Sequence, residues 1–238
     1  MITCGVRWWR EWIKVQVSEK PTTEEIERSY DHHAMMVHMS VIIENQEDVR
    51  DLVYREWRNA RECFREFSTE DSPDDHPFRQ CWRRQLDRSK YLQTPAGQSK
   101  ALPFEDIRYF IERCIEITEK PIMNHRVSPY HPYSSNHWAY LLNSEPDEGM
   151  ELDYRRSSDR AIRTKKAAIV VGGLVLSRGL TIKGLSTSIF CRSQGDSKGD
   201  TNLQMCRWLG HKKSEFDLMA IHMQNESLEI FREITEAD

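Results

Sequence analysis

The 238 residues carry a net charge of −4, and their seven Trp, eight Tyr and eight Phe exclude a wholly disordered chain. A sequence pI near 6.2 and a mean hydropathy of −0.72 exclude a globally basic nucleic-acid coat, while leaving room for a local basic strip and much solvated helix surface. No apolar run approaches membrane-spanning length, and the six cysteines (4, 63, 81, 114, 191 and 206) form no C-x-x-C pair, so a cytoplasmic protein with reduced thiols is expected rather than a disulfide or zinc framework.

In chain order, the first two dozen residues show no clean period; Trp8, Trp9, Trp12, Ile13 and Val15 suggest an edge element or a docking patch. Ala34 to Ser40 is a short apolar run with polar neighbours and predicts a buried strand. From Asn45 to Phe67, Val49, Leu52, Val53, Trp57, Ala60, Phe64 and Phe67 recur at spacings of three and four, the mark of an amphipathic helix. Pro73 and Pro77 place a loop next, followed by a short, arginine-rich, exposed helix from Phe78 to Tyr91. Pro103 stands at a helix start, with Ile107, Phe110, Ile111, Cys114 and Ile115 at helical spacing behind it. Pro121 to Asn124 suggests another strand, and Trp138 to Leu142 a short helix within a loop-rich stretch. Strands are expected at Ala167–Val171, Thr187–Phe190 and Leu218–His222, with helices over Asn202–Leu209 and from about Ser227. Strands alternating with helices imply an α/β fold with a mainly parallel sheet.

In such sheets ligands sit at the carboxyl ends of strands. Two segments there have suitable chemistry. Gly172 and Gly173 follow a buried strand and allow backbone amides to approach a phosphate, while Ser177 and Thr181 add hydroxyls and Arg178 a cationic fork. A glycine-rich turn with an incidental arginine has the same composition. In the second segment, Gln204 and Arg207 fall on one helical face ahead of Gly210 and His211-Lys212-Lys213. An arginine offered to a γ-phosphate stabilises charge developing in the transition state, whereas a cationic helix end can equally serve its own dipole.

Taken in order, Gly172-Gly173, Leu176 to Thr181, Gly184-Leu185-Ser186, Asp200-Thr201, Gln204-Met205, Arg207-Trp208 and Gly210 resemble the signature of the Z1 domain family. The first block is similar to motif five of superfamily-two helicases and the second to motif six. His33 to Ser40 and the helix start at Gln46 to Val53 extend the resemblance, and Met123-Asn124 matches a strand bearing an asparagine. It spans roughly Tyr30 to Ile230, leaving residues 1–29 outside it and a helical and loop-rich insertion over about 70–160. The family implies a second RecA-like domain, a sheet flanked by helices, in a DNA-acting ATPase of restriction or phage-defence endonucleases. By that resemblance Arg207 is the arginine finger and Gln204 positions phosphate or water, while Gly172, Gly173, Ser177, Arg178, Gly179, Thr181 and Lys212 face nucleotide or DNA. Two positions depart from the pattern: Cys206 stands where glycine is expected, and Lys212, which lacks the planar fork, replaces a second arginine.

No G-x-x-x-x-G-K-[ST] occurs in the 238 residues, so ATP with Mg²⁺ would bind only when a P-loop ATPase domain in trans completes the site. The alternative is a catalytically inert binding or assembly module on the same fold. Asp71, Asp74 and Asp75, like Asp147, Glu148 and Glu151, have no lysine at useful spacing and suggest solvated turns rather than a nuclease centre. His33 and His38 would face opposite sides of a strand, and no metal site is expected from them.

Overall fold

The computed structural model describes residues 1–15, 18–38, 43–90, 102–119, 140–142, 166–172, 182–191, 213–225 and 228–229. Their elements in chain order are α1 (Ile2–Val15), α2 (Thr23–Ser29), β1 (His33–His38), α3 (Ile43–Glu66), α4 (Pro77–Lys90), α5 (Phe104–Glu119), β2 (Tyr140–Leu142), β3 (Ala167–Gly172), β4 (Leu185–Phe190), a 3₁₀ helix (Lys213–Leu218) and β5 (Ala220–His222). The five strands form one sheet in the order β2-β3-β1-β4-β5, and every pairing among them is parallel. This is the expected α/β arrangement of RecA-like type.

β1 pairs with β3 without a break, from His33 opposite Ala167 to His38 opposite Gly172. Alternation along each strand then sorts side chains between two faces. Met36 and Val170 are fully buried on one face, and Val37 and Val171 are at most 3% exposed on the other. Burial on both faces is the usual condition of an all-parallel sheet and explains why these strands show as continuous apolar runs.

Ala167, Ile169 and Val171 share one face. Ala167 joins the large core made by α1, α2, α4 and α5 with the end of α3. Ile169 and Val171 join a smaller cluster with Tyr54 of α3, and Trp57 packs against both clusters. These helices therefore cover the same face, α3 towards the carboxyl half of the strands.

Aromatic contacts fix the helix ends. Phe67 lies 5.0 Å from Phe78 and 5.1 Å from Phe104, and Trp82 lies 5.2 Å from Phe104, ring centre to ring centre. The helix expected to be exposed from Phe78 is thus docked: Phe78, Trp82 and Gln85 are buried, and its outward face carries the arginines. α4 and α5, both within the stretch expected to be an insertion, belong to the main core.

Three local readings are corrected. The N-terminal stretch is a 14-residue helix with Cys4, Gly5, Val6, Arg7, Trp8 and Trp9 all buried. It crosses α5 so closely that a Cβ on Gly5 would sit 2.7 Å from Cγ1 of Ile111, so the absence of a side chain is what permits the crossing. Tyr140–Leu142 is an edge strand on β3, not a helix, and is too short for any period to declare it. Leu218 closes the 3₁₀ helix, so the last strand starts at Ala220. The expected strand at 121–124 and helix at 202–209 lie outside the described residues.

Candidate functional site

The two edges of the sheet differ in chemistry. At the carboxyl edge, β1 ends in His38, which is fully buried and packs against Phe190 of β4 at 5.7 Å between ring centres. The amide of Cys191 donates to the carbonyl of His38 over 3.0 Å, holding the exit of β4 against that of β1. Beside them β3 ends in Gly172, buried and paired with both His38 and Leu142. The glycine-rich segment therefore departs from an interior strand, next to the central one. From there the 12 residues 173–184 carry the chain to the amino end of β4, two positions across the sheet.

At the amino edge, charged groups are buried and bonded. Arg7, 3% exposed, donates through Nη1 to the carbonyls of His32 at 2.6 Å and Gly184 at 3.0 Å, and through Nη2 to Oε2 of Glu215 at 2.8 Å. One side chain thus ties α1 to the entries of β1 and β4 and to the 3₁₀ helix. Arg10 grips Asp217 with two parallel bonds of 2.9 and 2.7 Å, the strong fork geometry of guanidinium on carboxylate. The same carboxylate accepts from Ser89 Oγ at 2.6 Å, and the Asp217 carbonyl accepts from Gln85 Nε2 at 3.2 Å.

Two further groups belong to this edge. His33 Nε2 lies 3.2 Å from Thr3 Oγ1 and 3.0 Å from Ser186 Oγ. Glu11 accepts from the amide of Asp31 at 3.0 Å, yet burial outweighs that bond and pushes its carboxyl up to about 7.

Gly184 explains part of the signature segment. Its φ of 71° is in the left-handed region, and a Cβ there would meet the His32 carbonyl oxygen at 1.7 Å. Leu185 behind it is fully buried and Ser186 bonds His33. Gly184-Leu185-Ser186 thus seats β4 against β1.

Of the residues singled out from the sequence, Gly172 is placed at the carboxyl edge. Gly173, Ser177, Arg178, Gly179, Thr181, Gln204, Arg207 and Lys212 lie outside the described residues. His33 and His38 are on opposite faces, engaged with Ser186 and Phe190 respectively. Asp74 forms an exposed ion pair with Arg83 at 2.6 Å, in keeping with a solvated turn. Among the described residues, no three His, Cys, Asp or Glu gather to hold a metal ion, and no helix is long and apolar enough to cross a membrane. Cys4 and Cys114 are buried free thiols in hydrogen-bond contact, with Cys4 pushed well above the usual thiol range chiefly by burial. Arg7, Arg10, Asp217 and Gln85 had no local signal: Arg7 and Arg10 meet partners more than two hundred positions away.

The family model of the Z1 domain matches residues 15–238, and the chain belongs to that family. No curated protein and no solved structure matches the chain.

Proposed function

We propose that this Z1 chain is the second RecA-like half of an ATP-driven machine acting on DNA, of restriction or phage-defence type, and that it completes a nucleotide site with a P-loop domain from elsewhere. The observation that carries the reading is the position of β3. It lies next to the central strand of an all-parallel sheet and brings Gly172, the first residue of the glycine-rich segment, to the carboxyl edge, where such sheets bind ligands. The nine residues 173–181, including Ser177, Arg178, Gly179 and Thr181, are proposed to meet nucleotide phosphate or the DNA backbone. Arg207 is proposed as the arginine finger, with Gln204 orienting the attacking water and Lys212 contributing charge.

Division of labour follows from what the chain contains. The sequence lacks the P-loop whose Ser/Thr would hold Mg²⁺. Mg²⁺ and the phosphate cradle are therefore assigned to the partner domain, and charge stabilisation of the departing γ-phosphoryl group to this one.

The test is DNA-stimulated ATP hydrolysis by this chain mixed with a P-loop ATPase domain supplied in trans. Arg207→Ala is expected to lower turnover by about a thousand-fold, the scale of a lost arginine finger. Hydrolysis by the mixture that is indifferent to Arg207→Ala would overturn the proposal. Cys206 and Lys212, which depart from the family pattern, favour a second reading, an inert assembly module. In that case the P-loop partner binds this chain without any gain in turnover.

A further inference from the structure

A cleft of about 380 Å³ opens on the helix-covered face of the sheet, over β4 and β5 and between α3, α4 and the first turn of α1. That volume lies within the range of about 300–1,000 Å³ usual for small-molecule sites. Ile2, Ala60, Phe78 and Ala220 give it an apolar lining, with Thr187 in its wall. Arg84, Arg88 and His222 border it as well.

The two arginines form a cationic pair beside His222, which burial and their charge keep neutral. Arg84 and Arg88 are one helical turn apart on α4, so they sit on the same side of the helix. Both are exposed, and neither has a hydrogen bond or ion pair among the described residues. Their neighbours on α4 are occupied: Arg79 donates to the carbonyls of Ser68 and Thr69, and Arg83 pairs with Asp74. His222 on β5 is held below the ordinary imidazole range, first by burial and then by Arg88 and Arg84. The two guanidiniums therefore act on the imidazole, and no ion pair among the described residues offsets their charge. An anion beside them would offset it.

We propose that this cleft binds a small organic anion, with a carboxylate or phosphate head between Arg84 and Arg88 beside His222 and an apolar body against Ile2, Phe78 and Ala220. A nucleic-acid strand fits these features less well. Tracking a strand needs a row of free cations, whereas the described side chains of α4 present two, Arg84 and Arg88, with an apolar hollow behind them. The proposal is independent of the nucleotide site above.

Two cysteines supply the test. Cys81 lines the cleft and is exposed, and Cys191 is exposed outside it. Alkylation of each by iodoacetamide is followed by mass spectrometry on the full chain, with decanoate, decanol, inorganic phosphate or a short single-stranded oligonucleotide present. Decanoate is expected to slow modification of Cys81 at least tenfold and leave Cys191 unchanged, and the double variant Arg84→Ala/Arg88→Ala, whose side chains are exposed, to lose that protection at an unaltered melting temperature. Equal protection by decanol would mean a merely apolar hollow, and equal protection by phosphate or oligonucleotide a plain phosphate surface. Either result overturns the proposal, as does an absence of protection by decanoate or its survival in the double variant.

Discussion

The amino and carboxyl edges of one sheet, about six residues apart along β1, are built on opposite plans. The amino edge is densely bonded: Arg7 serves three acceptors on three segments through Nη1 and Nη2, although its buried Nε has no partner among the described residues, and Asp217 takes bonds from Arg10, Ser89 and Gln85. At the carboxyl edge β1, β3 and β4 end in His38, Gly172 and Phe190, where ring packing of His38 on Phe190 and backbone bonds join the strands. Buried ion pairs cost desolvation, which good geometry and further hydrogen bonds offset, so a dense network of this kind is suited to fixing geometry. The contrast teaches that anchoring is concentrated at the amino edge, and the proposed function assigns chemistry to the opposite one, with the strands as spacers between them.

The sharpest way to break this contrast is Gly184→Ala. The added methyl group has no space beside the His32 backbone and the residue keeps a left-handed φ, so a loss of more than about 4 kcal/mol is expected, on the scale reserved for strain and core disruption. Urea unfolding measures it; a midpoint close to that of the parent chain would mean that β4 does not need this seat.

Next in size is Arg10→Ala. It removes the fork from a carboxylate whose side chain is 1% exposed and leaves a buried charge with one hydroxyl donor, costing about 3 kcal/mol. The same denaturation curve, unchanged, would remove Asp217 from the list of anchors.

Smallest is the pH response of Glu11. Its carboxyl is raised to about 7 in the folded chain, above the usual 4.5. The fold therefore prefers the protonated form: this contribution to stability is complete at acid pH, below the unfolded value, and is lost as pH rises through about 7. Glu11→Gln keeps an oxygen for the Asp31 amide and cannot ionise. It is expected to melt above the parent at pH 8 and level with it at pH 4. A higher melting temperature for the parent at pH 8 would show that the Glu11 charge is stabilising.

Legibility from sequence tracked how one-sided each element is. α3 and α5 bury one stripe, and their three-and-four spacing declares them. α1 carries the same signal, since Arg7, Arg10, Glu11 and Lys14 recur at spacings of three and four, but the run of six buried residues from Cys4 to Trp9 includes Arg7 of that polar stripe, which no local pattern announces. Arg7 and Arg10 look like surface charges until the chain brings Glu215 and Asp217 back to them. The Z1 signature was readable as a string, but its parts do different work: Gly184-Leu185-Ser186 serves the amino edge, and Gly172 ends β3 at the carboxyl edge. A motif read from sequence does not separate seat from site, because that distinction depends on which end of a strand each residue reaches.

The separation is tested most directly by comparing Arg207→Ala with Arg10→Ala in two assays, thermal melting of the chain alone and DNA-stimulated ATP hydrolysis with the P-loop partner. The expected result is that Arg207→Ala melts with the parent but loses hydrolysis by about a thousand-fold, while Arg10→Ala melts lower and, at temperatures where it stays folded, hydrolyses ATP normally. A destabilised Arg207→Ala chain with undiminished hydrolysis would contradict it.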